Sequence, residues 1–243
     1  MNTLVDPDAR EWTDLVLDSG LSVTGTNVIL GQGALVMAGG LAAEDAPDAV
    51  FESPDFVVMS RTGVEVEFDQ PSPVAFGLPD ASVDLVVMRS AYRGVMEMSA
   101  SFNEAVRVLR SGGGLFIADF SPSALAGSSL QAHPSRLLTM MFPEIADRLA
   151  ALHPNSVDIA IAAVRAGVRD IDGWDVEDYV MHFEDYEDHQ LWVAQGGWRG
   201  FELLSEVQKG ELLAALPSVM RRIAPNNLIR ESEPWTVARG FKD

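Results

Sequence analysis

Few residues of this chain can carry covalent or acid–base chemistry. There are no cysteines and only four histidines, which excludes disulfides, thiolate metal sites and thiolate nucleophiles. His133 lies in an apolar stretch broken by prolines and is the candidate general acid or base. His182 and His189 fall in "HFEDYEDH", whose spacing is not a recognised ligand spacing, so no metal site is expected. Asp119 closes the apolar run "LFIADF", at the carboxyl edge where open α/β sheets bind ligands. The stretch "NVILGQGALVMAGGLA" (27–42) reads as a strand, a glycine turn and a helix. Gly31 and Gly33 would let the backbone approach a nucleotide-like ligand there. "LLTMMF" (137–142), with Trp192 and Trp198, could line an apolar pocket or simply pack a core.

The elements that must position these groups follow from hydrophobic periodicity. Residues 7–18 read as an amphipathic helix carrying Trp12, Leu15, Val16 and Leu17 on one side. Strands are expected at 27–30, 48–52, 63–68, 83–88 and 115–120, and helices at 34–44 and 99–110, with Ser99 or Ser101 as cap. The near-continuous apolar run at 83–88 suits a strand covered on both faces. Strands alternating with helices imply an α/β protein with a doubly wound, mostly parallel sheet. Further on, 156–170 reads as a helix, 174–183 as a strand, 186–224 as mostly helix and 234–241 as a last strand. One domain over 1–243 is expected, with 121–156 as a helical insert or lid over the pocket.

Composition bounds the partners. The chain has 243 residues, 17 basic against 36 acidic, for a net charge of −19. Such a surface repels phosphate backbones and anionic lipid, so neither nucleic acid nor membrane is an expected partner. The apolar fraction of 47% supports a packed core. The opening "MNTLVDPDAREW" has no basic and apolar leader pattern, and no run approaches a membrane span. A cytoplasmic protein is expected.

The stretch "GLPDASVDLVVMRSAYRGVMEMSASFNEAVRVLRSGGGLFIADFSPS" (77–123) resembles the middle of a class I S-adenosylmethionine-dependent methyltransferase of the "methyltransferase 11" type. The resemblance rests on Leu78-Pro79-Asp80, Ser82-Val83-Asp84, the apolar strand to Met88, Arg107-Val108-Leu109, Gly112-Gly113 and the strand 115–119. It implies a seven-stranded Rossmann-like sheet and S-adenosylmethionine as cofactor. By the same resemblance, Gly31 and Gly33 would line the cofactor, and Glu52 would hold the ribose hydroxyls. Ser72 falls where an acidic residue usually meets adenine, and Arg89 ends the fourth strand beside the cofactor. Tyr92 and Arg93 would face the acceptor, where a phenol and a guanidinium can orient a polar or anionic group. Asp84 would be structural. The chain departs from the pattern at Ile29, which stands in the place of an acid, and at Leu35, which stands in the place of a third glycine.

Three functions stay open on these residues. One is methyl transfer from S-adenosylmethionine to a small, partly apolar metabolite, which needs in-line placement more than an acid–base pair. Another is a cofactor-independent cyclase or isomerase on the same fold. The third is a non-catalytic partner subunit, in a homodimer or with a hetero-partner. Whether the protein is an enzyme is therefore open.

Overall fold

The computed structural model describes residues 9–31, 34–43, 49–53, 55–60, 72–92, 95–226 and 228–243. The described chain is α/β with a seven-stranded sheet, as the alternation of elements predicts. Its strands are β1 (Asn27–Gly31), β2 (Ala49–Ser53), β3 (Phe56–Met59), β4 (Val83–Arg89), β5 (Leu109–Phe120), β6 (Val168–Phe183) and β7 (Ile229–Lys242). Their order in the sheet is β2-β3-β1-β4-β5-β7-β6. β1 runs parallel to β4, and β4 parallel to β5. β2 and β3 instead form a hairpin, and β3 lies antiparallel on β1, with Ile29 opposite Val57 and Leu30 opposite Phe56. The expected strand at 63–68 lies outside the described residues.

The chain divides into two compact units. The first comprises Met1–Asp119, Ser156–Asp175 and Thr236–Asp243, and the second Phe120–Asn155 and Val176–Trp235. The segment 121–156, expected as an insert, therefore falls almost wholly in the second unit, together with 176–235. β5, β6 and β7 each run from one unit into the other.

In the first unit both faces of the central strands are buried, which is why 83–88 reads as continuously apolar. Val28, Leu30, Val86, Met88, Leu115 and Ile117 share one core with Phe102 of α3 (Val95–Val108) and Ile159 of α7 (Ser156–Ala166). Ile29, Val57, Leu85, Val87 and Phe116, the alternate positions, are buried as well. Helices α1 (Ala9–Asp18) and α2 (Ala34–Ala43) supply buried Trp12, Val16, Met37 and Leu41. Gly40 is what lets α1 and α2 close: a Cβ there would lie 2.4 Å from Thr13 Oγ1. α3 starts earlier than expected, so Ser99 and Ser101 are interior rather than caps, and Ser101 Oγ donates back to the Glu97 carbonyl. It stops at Val108 because Leu109 pairs with Val83 in the sheet.

The second unit packs α4 (Pro122–Gly127), α5 (Arg136–Met141), α6 (Pro143–Leu152), α8 (Tyr186–Ala194) and α9 (Glu206–Ile223) around an apolar core that includes Leu138, Ile145, Leu149, Trp198, Leu212 and Leu216. α9 begins at a full capping box between Ser205 and Gln208. No described helix is long and apolar enough to cross a membrane.

Candidate functional site

The motif residues that carry the resemblance are largely a structural clamp. Arg107 ion-pairs with Asp80 and Glu104 and donates to the Leu78 carbonyl at 2.8 Å, while Glu104 accepts the Phe76 N–H at 2.7 Å. This pins the loop before β4 onto α3. Asp84 does the same at the strand's start: it accepts from Arg110 Nη1 at 2.7 and 2.8 Å and from the Thr26 N–H at 2.7 Å. These residues hold the fold and leave the site to the other end of the strands.

That other end is the carboxyl edge of β4 and β5. The chain leaves β4 through Ser90, whose φ of 46° lies in the left-handed region. A non-glycine residue there costs on the order of 1–3 kcal/mol. The conformation is held by the Ser90 N–H, which donates to the Ala118 carbonyl at 2.9 Å, and by Ser90 Oγ, which donates to Asp119 Oδ1 at 3.2 Å. Asp119 is 1% exposed. Tyr92 follows, its ring packed edge-on against Phe102 with centroids 5.9 Å apart. Its hydroxyl is buried beside Asp119. Burial raises its phenol well above the ordinary value, and Asp119 adds to this through its charge and by accepting from the phenol O–H. A phenol held protonated in this way still has an oxygen that can accept a hydrogen bond from a ligand. Sequence reasoning reached Tyr92 and Asp119 separately, and the structure brings them together. Arg93 lies outside the described residues.

The first-strand turn is different. Gly31 has a φ of 93°, and a Cβ on it would lie 1.9 Å from the Arg89 carbonyl oxygen. Its N–H donates to the Asp55 carbonyl at 2.9 Å, at the turn of the β2–β3 hairpin. Ile29, in the place of an acid, is fully buried, and Leu35 is 39% exposed, turned outward rather than into a pocket. Arg89 is buried, its guanidinium 4.7 Å from the Trp12 ring centroid. Glu52 pairs with Val57, which pairs with Ile29, so β2 stands one strand away from β1. That separation is about 9–10 Å between backbones. Ser72 closes a tight turn on Ala75 through two backbone hydrogen bonds of 3.0 Å. Gly33 lies outside the described residues. The described residues of this turn do not fit S-adenosylmethionine as the resemblance would seat it: the Gly31 amide and the open face of Gly31 are each taken by a contact within the protein, and Ile29 supplies no carboxylate.

The second unit holds its own buried polar groups. His133 is 4% exposed, and its Nδ1 lies 3.2 Å from the Ser232 carbonyl and 3.1 Å from Ser232 Oγ. Its Nε2 is 3.7 Å from Glu177. These contacts tie the α4–α5 connection to β7, which is an anchoring role rather than the acid–base role expected for it. His189 is fully buried and bonds through Nε2 to Glu231 Oε1 at 2.5 Å, which also accepts Trp198 Nε1–H at 3.0 Å. The ring of His189 lies among Phe183, Trp192 and Trp198, and its Nδ1 has no partner. Burial pushes the Glu231 carboxyl up, with the bonds from His189 and Trp198 opposing. Sequence reasoning missed Glu231. Its only signal was alternation: Glu231 shares the inward face of β7 with Ile229, while Arg230 between them is exposed.

Residues 49–117 match the family described as "Methyltransferase domain". No curated protein matches the chain. Solved structures similar to it include Haemonchus contortus phosphoethanolamine N-methyltransferase 2 in complex with S-adenosyl-L-methionine, at 16% identity and a TM-score of 0.37. That likeness covers 70% of this chain and 36% of the other, so the chain spans little more than a third of that relative's length. The YcgJ protein of Bacillus subtilis is 17% identical over 74% of this chain and 73% of its own, with a TM-score of 0.40. The (4+2)-cyclase SpnF is 14% identical over 96% and 80%, with a TM-score of 0.42. The family match thus covers residues 49–117, a little over a quarter of the chain.

Proposed function

We propose that this protein takes a small, partly apolar metabolite at the carboxyl edge of β4 and β5, on a methyltransferase fold, without S-adenosylmethionine seated in the first-strand turn. The observation that carries the reading is the buried hydroxyl of Tyr92 beside buried Asp119 at this edge. A ligand hydroxyl or carbonyl there would share the hydrogen bonding of this buried pair. The negative charge of Asp119 disfavours an anion, so the ligand is a neutral molecule with a carbonyl or hydroxyl oxygen. Such a site suits a cyclase or isomerase in which Tyr92 hydrogen-bonds to the reacting oxygen. The net charge of −19 argues against phosphate-rich partners.

A second reading, methyl transfer to such a metabolite, is favoured by the match over residues 49–117. Thermal-shift screening with neutral terpenoid and aromatic alcohols and ketones tests the first reading. Stabilisation of the wild type that is lost in Tyr92→Phe is the expected result. Stabilisation that survives Tyr92→Phe, or none with any of these compounds, would remove Tyr92 from the site. Micromolar binding of S-adenosylmethionine by calorimetry would restore the second reading.

A further inference from the structure

We infer that the outer face of α7 is a self-association surface, and that it fits a second copy of this chain laid antiparallel across it. The inference is independent of the edge site at Tyr92. It starts from an apolar pattern that the helix sequence "SVDIAIAAVRA" (156–166) carries twice. Ile159, Ala162, Ala163 and Ala166 stand at i, i+3, i+4 and i+7 and face the core that holds Phe102 of α3. Val157, Ala160, Ile161 and Val164 repeat that spacing two residues earlier. Two residues turn a helix by about 200°, so the second stripe lies on the opposite side from the first. Val157 is 62% exposed, Ile161 45% and Val164 61%. A helix apolar on both sides is normally covered on both.

Symmetry and charge suit this face to its own copy. Asp158 and Arg165 are the helix's only charged residues. Seven positions apart, they stand on one flank of the outer stripe, near its two ends. In an antiparallel pair with the two-fold axis at Ile161, Val157 of each copy lies against Val164 of the other, and Ile161 meets its counterpart. The same operation brings Asp158 of each copy alongside Arg165 of the other, so the contact is neutral and closes on itself. That neutrality matters in a chain of net charge −19, which otherwise repels its own copy. Ala160, beside the axis, lets the helices approach to about 8–9 Å. α7 has 11 residues and is about 16 Å long, so the pair covers less than the roughly 800 Å² per partner of a standard interface. The dimer is therefore weak, with a Kd on the order of 100 µM.

The test is sedimentation equilibrium of the full chain, from about tenfold below to about tenfold above that Kd. A reversible monomer–dimer equilibrium is expected. Ile161→Glu sets two like charges face to face at the axis and should weaken association at least about tenfold, with Tm within about 2 °C of wild type because the position is exposed. Asp158→Arg and Arg165→Asp should each self-associate more weakly than the wild type. A mixture of those two variants should recover dimers, since both flanking pairs form again between unlike copies. A chain that stays monomeric over the whole range overturns the proposal. So does a dimer untouched by Ile161→Glu, or a mixture that associates no better than its components.

Discussion

Gly31→Ala distinguishes a glycine kept for a ligand from one kept for the fold. The added Cβ would stand 1.9 Å from the Arg89 carbonyl oxygen, where real contacts stay beyond 3.0 Å. β1 and β4 must therefore separate by about 1 Å at this register pair, at an overpacking cost of about 1–3 kcal/mol. The φ of 93° adds strain for any residue with a side chain, about 1–2 kcal/mol. Together these amount to about 2–5 kcal/mol, against a total stability of about 5–15 kcal/mol. For a chain of this length, about 3 kcal/mol corresponds to a drop in Tm of about 6–12 °C. The assay is thermal unfolding followed by circular dichroism, with no ligand added. A Tm within about 2 °C of wild type would refute the reasoning, since both the close approach of Arg89 and the φ strain act in the ligand-free protein.

Three further outcomes follow from the contacts described. Glu231→Ala leaves buried donors on His189 and Trp198 without an acceptor, and should cost about 3–5 kcal/mol by chemical denaturation. Glu231→Gln should cost less and should also flatten the pH dependence. The folded carboxyl titrates above its ordinary value of 4.5, so its contribution is full below that pH and is lost as pH rises through the folded pKa. The wild-type Tm should therefore fall relative to Glu231→Gln as pH rises above about 4.5, and parallel curves would contradict the burial argument. In the wild type the Tyr92 phenol, buried beside Asp119, should resist ultraviolet titration above pH 10 until the protein unfolds. Asp84→Ala should cost about 1–3 kcal/mol through the lost Thr26 and Arg110 bonds, with Asp84→Asn recovering part of it; a neutral Asp84→Ala would show that β4 does not need this anchor.

Much of the fold was legible because burial leaves a period. The runs 27–30, 83–88 and 115–120 became strands of one sheet, and 156–166 became a helix. The hairpin at Phe56–Met59 was not read, although Pro54-Asp55 before an apolar run was a usable turn signal. Strand direction was beyond periodicity altogether, since an antiparallel and a parallel strand can carry the same apolar run. The candidate site divided along the same line. Asp119 could be placed from its position at a strand's end, but Gly31 could not be interpreted. A glycine that admits a ligand and a glycine that admits a neighbouring carbonyl look alike until the neighbour is placed. For His133 the sequence carries its chemistry but not its neighbours, Ser232 and Glu177, which lie far along the chain.

The division of the strands between the two units has a consequence for synthesis. Thr236–Asp243 belongs to the first unit, yet it is translated after the whole of the second. Until it arrives, the Leu109 carbonyl lacks Lys242 Nζ, and the Gly167 carbonyl lacks the Asp243 N–H. The first unit, whose residues begin to emerge earliest, is thus the last to be finished. Until then part of its apolar sheet is without the strand that completes it, the kind of surface that aggregates when exposed.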